Sequence, residues 1–253
     1  MPWDPDRYEK FSAERYAPFE DLSRLIHARA GLRAIDVGCG TGELTRRLAE
    51  LLPESDVLGI DSSPEMVERA SALARPGLRF ERGTAEDVQG EWDVIFSHAA
   101  LHWVDGHATL IPRLFSLVAR GGQLAVQMPS NFGHATHLII DELAGGAPFR
   151  EALGGWRRRW PLLSIDAYAE LLSSCGATEI TVFEKVYPHV LDDADALADW
   201  MSGTALVPYF ERMPEELHEP FMTQLRERYR ARWPERPVFF GFRRTLFAAT
   251  KPA

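Results

Sequence analysis

Apolar residues run through this chain in two rhythms, and the change from one to the other is the first structural signal. Between residues 33 and 128, short apolar runs at Arg33–Val37, Asp56–Ile60, Leu78–Arg82, Trp92–Ser97 and Gly122–Met128 alternate with amphipathic stretches at Glu43–Leu52, Pro64–Leu73 and Thr109–Val118. Strands buried on both faces need no polar alternation, and parallel strands need crossover helices between them. The pattern therefore predicts a doubly wound α/β sheet. Upstream, residues 8–30 predict one or two amphipathic helices broken near Pro18. After Pro129 the rhythm changes. Residues 130–160 predict irregular, partly helical structure interrupted at Gly145, Gly146, Gly154 and Gly155. A helix follows at Ile165–Ser174, stopped by Gly176, then a strand at Glu179–Tyr187. Residues 192–233 read as helical and aromatic-rich with breaks at Pro208, Pro214 and Pro220, and Phe240–Thr250 reads as a last strand.

This pattern gives a domain organisation. Residues 1–30 form an N-terminal helical segment, 31–129 an α/β core, and 161–191 with 234–253 the helix and strands that complete it. The stretches 130–160 and 192–233 are too long to be plain connections. They are expected to form one helical cap from insertions, over the ligand edge of the sheet.

Composition narrows the function classes. The 253 residues carry a net charge of −9, which disfavours a nucleic-acid partner, since that normally needs a basic face. The one basic cluster, Arg157-Arg158-Arg159 between Trp156 and Trp160, reads as a solvated helix face or as an anionic-ligand site. No apolar run approaches a membrane span, and no signal segment is expected. With Cys39 and Cys175 as the only cysteines, a disulfide framework is excluded and a cytoplasmic location is expected.

The strongest chemical signal is Asp36-Val37-Gly38-Cys39-Gly40-Thr41-Gly42, which follows a strand and opens a helix. Glycines there allow a tight turn and let a ligand approach the backbone, while amides at a helix start favour an anionic group. The spacing G-x-G-x-G differs from the G-x-G-x-x-G of pyrophosphate-binding folds, which disfavours a nicotinamide oxidoreductase. Asp61 ends the second strand 19 residues beyond Gly42, where a carboxylate can accept both ribose hydroxyls of an adenosine. Together these predict a nucleoside-type cofactor. Cys39 occupies the variable position of the loop and needs no redox role. His98, His102, His107, His134 and His137 lack a recognised metal-ligand spacing, so no metal is expected.

These residues resemble the first motif of class I methyltransferases that use S-adenosylmethionine. Asp61-Ser62-Ser63-Pro64-Glu65-Met66 resembles their second motif, and Gly83-Thr84-Ala85-Glu86-Asp87 their adenine-contacting loop. Many members carry aspartate where this chain has Thr84, and Glu86 is the candidate substitute. Ser97-His98-Ala99-Ala100-Leu101-His102-Trp103 falls where the family places the reacting methyl. The resemblance thus implies cofactor contacts at Asp36, Gly38, Cys39, Gly40, Gly42, Asp61, Ser62, Met66, Ala85, Glu86 and Ser97, with Tyr8 and Arg15 closing over the methionine carboxylate. It also implies seven strands in the order 3-2-1-4-5-7-6, the last antiparallel. A narrower similarity is to trans-aconitate methyltransferases, carried by Trp3-Asp4-Pro5, Gln127-Met128-Pro129-Ser130-Asn131, Tyr187-Pro188-His189, Asp199-Trp200 and Phe242-Arg243-Arg244. It implies a small polycarboxylate substrate and a carboxyl O-methyltransferase, with Arg244, Tyr187, His189, Gln127 and Trp200 at the acceptor.

A carboxylate acceptor is ionised at neutral pH and needs no base. His98, His102 and Trp103 are then pocket residues. With a phenol, amine, carbon-acid or acyl-thioester acceptor, His98 or His102 would be the base. A noncatalytic S-adenosylmethionine-binding protein is the third reading. Neither a nucleic acid nor a membrane is expected as a partner, and the chain is expected to be a monomer or weak homodimer.

Overall fold

The computed structural model describes residues 13–253, with side chains described from residue 16 onward. Seven strands form one sheet in the order β3-β2-β1-β4-β5-β7-β6. They are β1 (Arg33–Val37), β2 (Asp56–Asp61), β3 (Leu78–Arg82), β4 (Trp92–His98), β5 (Val118–Pro129), β6 (Thr178–Leu191) and β7 (Val238–Thr250). Strands β3 to β5 pair in parallel through β2, β1 and β4, and β7 runs antiparallel to β5. The topology is the one the resemblance implied.

In chain order the helices are α1 (Ala13–Ser23), α2 (Glu43–Leu51), α3 (Pro64–Ser71), α4 (His107–Ser116), α5 (Ala135–Ala144), α6 (Phe149–Ala152), α7 (Ile165–Ser174), α8 (Ala194–Ser202), α9 (Val207–Phe210) and α10 (His218–Arg232). Local chemistry starts and stops them where expected. The Ser63 hydroxyl caps α3 by accepting from the Met66 amide, with Pro64 in the first turn. Ser164 caps α7 in the same way, and Asp193 caps α8.

Three sequence expectations are corrected. Helix α1 runs through Pro18 rather than breaking there. An interior proline costs about 3 kcal/mol, whereas burying Phe19 and Leu22 completely returns roughly 1.5–3 kcal/mol each. Pro220 lies in the first turn of α10, where its missing amide has no helical partner to lose. The Arg157–Arg159 cluster follows α6 in a segment without helical structure. There Arg157 grips Asp141 at 2.5 and 3.2 Å, and Arg158 lies 4.0 Å over the Trp160 ring.

The chain divides into two compact units. The first comprises 16–129, 161–185 and 243–253 and is built on the sheet, with Ile35, Leu58, Ile95, Val126, Tyr168 and Phe247 in its core. The described part of the second comprises 130–160 and 186–242 and centres on Trp200, Phe221, Leu225, Tyr229 and Phe240. Within the first unit the register sets Val37 beside Ile60, Asp61 beside Arg82, His98 beside Gln127 and Pro129 beside Arg244. The carboxyl ends of the parallel strands and one end of β7 therefore share an edge. Among the described residues, no helix is long and apolar enough to cross a membrane.

Candidate functional site

The turn after β1 is shaped by its glycines. Gly38 has φ +83° and backs directly onto the chain after β4: a Cβ there would lie 2.0 Å from the Cβ of Ala100. Gly40 has φ +55° with nothing within 4 Å of the corresponding position, so the middle of the turn opens outward. The amides of Gly38 and Cys39 both donate to the Ile60 carbonyl, at 2.8 and 2.9 Å, which ties the turn to β2. The Cys39 thiol is buried, and burial raises its pKa.

Two carboxylates flank this turn in unlike settings. Asp61 accepts from the Gly40 amide with Oδ2 and from the Ser63 amide with Oδ1, each at 2.9 Å. Each oxygen keeps a further lone pair for a ligand hydroxyl. Asp36 is 3 % exposed, and its Oδ2 accepts from the Thr45 hydroxyl at 2.6 Å. Its Oδ1 has no hydrogen-bond partner among the described residues. Burial pushes the Asp36 pKa up to about 7, the Thr45 bond opposing and the Asp61 charge adding to the rise.

The loop after β3 is self-contained. The Thr84 amide and hydroxyl both donate to Asp87 Oδ2 at 2.9 Å, so the Thr84 side chain turns into its own loop. Ala85 is buried and Glu86 exposed. Ser62 offers its carbonyl to Arg82 Nε at 3.2 Å, and Met66 is a buried residue of α3. Ser97, fully buried, donates to the Val37 carbonyl at 2.7 Å and staples β4 to β1.

At the end of β4 the backbone is strained: Ala99 adopts φ +54°, a left-handed conformation that costs a non-glycine residue about 1 kcal/mol or more. His98 is buried with its ring 6.0 Å from Phe19. His102 is buried against Trp103 at 4.8 Å, while Trp103 itself is 48 % exposed. On the neighbouring strands, Arg244 (4 % exposed) donates to the Oε1 of fully buried Gln127 at 3.4 Å. Arg243 points the other way and pairs with Glu184 at 3.6 Å.

In the second unit, His189 and Trp200 come together with ring centres 5.0 Å apart, and Phe242 stands 5.6 Å from His189. Tyr187 is buried two residues earlier on the same face of β6. Tyr8 lies outside the described residues, as does the side chain of Arg15. No group of three or more His, Cys, Asp or Glu side chains suited to a metal occurs among the described residues.

Comparison with known proteins gives this geometry a family. Residues 34–122 match a methyltransferase domain. Over its whole length the chain is 42% identical to a trans-aconitate 2-methyltransferase of Deinococcus radiodurans, covering 99% of that protein. The chain belongs to that family. A trans-aconitate 2-methyltransferase of Variovorax paradoxus is 35% identical, with both chains covered completely. Among solved structures, the YcgJ protein of Bacillus subtilis superposes with a TM-score of 0.64 at 16% identity, over 94% of this chain and 99% of that one. That likeness concerns the fold alone.

The protein is therefore a class I methyltransferase, and its methyl donor is S-adenosylmethionine. The residues fit such a donor. The turn is open at Gly40, Asp61 keeps acceptor capacity, and the unsatisfied Asp36 oxygen suits a cationic ligand. Sequence reasoning missed Thr45, which donates to Asp36 in β1, and the contacts of Arg113 and His107, which reach the backbone after β3 and β4. Only for Thr45 was there a signal, a polar residue on the apolar face of α2.

Proposed function

We propose that this methyltransferase esterifies one carboxylate of a small polycarboxylic acid, trans-aconitate being the first candidate. The observation that carries this reading is the whole-length relation to trans-aconitate 2-methyltransferases at up to 42% identity. The Arg244–Gln127 pair supports it. A buried arginine whose guanidinium lies beside a neutral amide is suited to hold a carboxylate, and in a chain of net charge −9 a polyanion needs such a local cation.

Bound S-adenosylmethionine supplies an electrophilic methyl. Asp61 accepts from the donor's ribose, Asp36 and the backbone of Gly38, Cys39, Gly40 and Gly42 face its methionine half with Ser97, and Ala85 and Glu86 flank its adenine. Ser62 and Met66 complete that wall. Arg244 and Gln127 orient the acceptor, while His98, His102 and Trp103 shape the pocket without transferring a proton. The rate comes from holding carboxylate and methyl in line and dry. We further infer a cytoplasmic monomer or weak homodimer acting on a small molecule rather than on nucleic acid or a membrane.

The test is a screen of di- and tricarboxylic acids with methyl-labelled donor. At saturating donor, label should enter trans-aconitate with a rate constant that stays flat between about pH 6 and 8, because an ionised carboxylate needs no base. Transfer confined to a phenol, amine or thioester, with an ascending pH limb abolished in His98→Asn or His102→Asn, would replace the carboxylate reading.

A further inference from the structure

Helix α4 holds two loops at once. From its last turn, Arg113 reaches the loop after β3: Nη1 donates to the Ala85 carbonyl at 3.1 Å, and Nη2 donates to the carbonyls of Glu86 and Val88, both at 2.7 Å. A guanidinium usually goes to a carboxylate. Here it is committed to three neutral carbonyls of one loop, and the Asp87 carboxylate stays with Thr84. From the first turn of α4, His107 reaches the 3-10 turn after β4 (Leu101–Trp103). Its Nε2 lies 2.9 Å from the Leu101 carbonyl, and its Nδ1 lies 2.5 Å from the Tyr168 hydroxyl.

The chemistry fixes the direction of every bond around His107. A carbonyl only accepts, so Nε2 carries the proton and Nδ1 accepts from Tyr168. The Tyr168 oxygen in turn accepts from the Leu163 amide at 3.3 Å. Each donor meets an acceptor, and both His107 and Tyr168 are essentially inaccessible to solvent. Burial lowers the His107 pKa, in keeping with this neutral tautomer. The loop held by Arg113 has a defined direction too. In a planar trans peptide, the amide hydrogen points opposite to the preceding carbonyl. Drawing the Ala85 carbonyl toward α4 therefore turns the Glu86 amide away from it.

We propose that α4 is a positioning clamp for the methyl donor, with Arg113 orienting the loop after β3 and His107 the turn after β4. The two residues are six apart, roughly 9 Å along the helix axis at 1.5 Å per residue. One helix carrying both contacts, with Pro112 between them, links the two loops and so sets where the methyl falls relative to the adenosine end. Both residues act through backbone carbonyls of the loops they hold. The proposal rests on the reading that residues 83–88 and 97–103 face the donor.

Two substitutions test it, with Asp61→Ala as the reference. Arg113→Met keeps the apolar stem and removes all three bonds. It should raise the Kd of S-adenosylhomocysteine and of adenosine at least tenfold in calorimetry, with kcat at saturating donor within about threefold of the parent. Arg113→Lys, the milder change, should recover part of the loss, because an ammonium cannot span three carbonyls. His107→Phe should show the opposite split, a tenfold fall in kcat with S-adenosylhomocysteine affinity near the parent value. Parent-like binding of both ligands by Arg113→Met, while Asp61→Ala loses them, would overturn the clamp and leave the donor reading standing. Parent-like binding by both Arg113→Met and Asp61→Ala would overturn the donor reading itself. Equal changes in kcat and Kd for the Arg113 and His107 variants, following their loss of melting temperature, would make α4 a purely structural support.

Discussion

The two units hold their candidate functional groups by different means. In the sheet unit, polar side chains are anchored to backbone. Asp61 takes two amides, Arg113 three carbonyls and His107 one. In the helical unit, the candidate groups stand among rings. His189 has Trp200, Phe242 and Phe240 around it, and His134 stacks on Trp233 and meets Phe240 edge-on. Backbone anchoring fixes a group to the fold whatever the neighbouring side chains are, which suits a ligand that never changes. Ring packing holds a group by shape, without a bond to the backbone. The comparison teaches where to expect tolerance to substitution: little where the backbone holds a group, more where rings do.

The largest effect that would break this contrast is at Gly40. Gly40→Val should abolish donor binding in calorimetry while leaving the far-ultraviolet spectrum unchanged. Its side chain would enter the open middle of the turn, where nothing else stands within 4 Å. A valine variant that binds as the parent does would reduce the turn to a mere connection. Next comes Asp61→Ala, which should weaken S-adenosylhomocysteine by about 1.5–3 kcal/mol, the size of a charge-assisted hydrogen bond. Unchanged affinity would remove Asp61 from the donor site.

Arg244→Ala should be smaller and confined to the acceptor. Its KM should rise about tenfold, or about 1.4 kcal/mol, with donor affinity nearly untouched. Parent-like acceptor kinetics in the folded variant would show that Arg244 only supports β7. The smallest effect concerns Asp36. Its folded pKa of about 7 stands above the ordinary carboxylate value of 3.8, so the native state holds a proton that the unfolded chain has already released. This group therefore lowers stability progressively as pH rises from about 4 to about 7, and the cost is constant above that. Asp36→Asn keeps an acceptor for Thr45 and removes the titration. Its melting temperature without donor should exceed the parent's by a few degrees at pH 7.5, with the gap closing toward pH 4.5. A pH-independent gap would mean that Asp36 is ionised in the fold.

Much of the sheet was legible because strands buried on both faces read as unbroken apolar runs. Arg33–Val37, with its last four residues buried, forms a strand with the bounds the sequence implied; Leu78–Arg82 does so as well, but as the mostly exposed edge strand β3. The misses have physical causes. Strand β5 starts at Val118 rather than Gly122, because its first residues include a polar Arg120 and a bend at Gly121 with φ +73°. Strand β6 continues past Tyr187 through Pro188 to Leu191, because it is an edge strand, where a missing amide is tolerated. Prolines 18 and 220 looked like breaks because propensity is local while the burial that overrides it is not. In the candidate site, the glycine turn and Asp61 announce themselves by spacing. The Arg113 and His107 contacts do not, since a side chain that reaches a backbone carbonyl leaves no sequence pattern at the acceptor.

The central claim is that this chain moves a methyl from S-adenosylmethionine to the carboxylate of a polyacid. Its most direct test is to incubate the parent protein with methyl-labelled donor and trans-aconitate, and to treat the isolated product with mild alkali. Equal amounts of labelled product and S-adenosylhomocysteine, with the label released as methanol by alkali, are the predicted result, since a methyl ester hydrolyses and an ether, amine or carbon-bound methyl does not. Label that survives alkali, or donor bound without any turnover on this or any other polycarboxylate, would contradict the account.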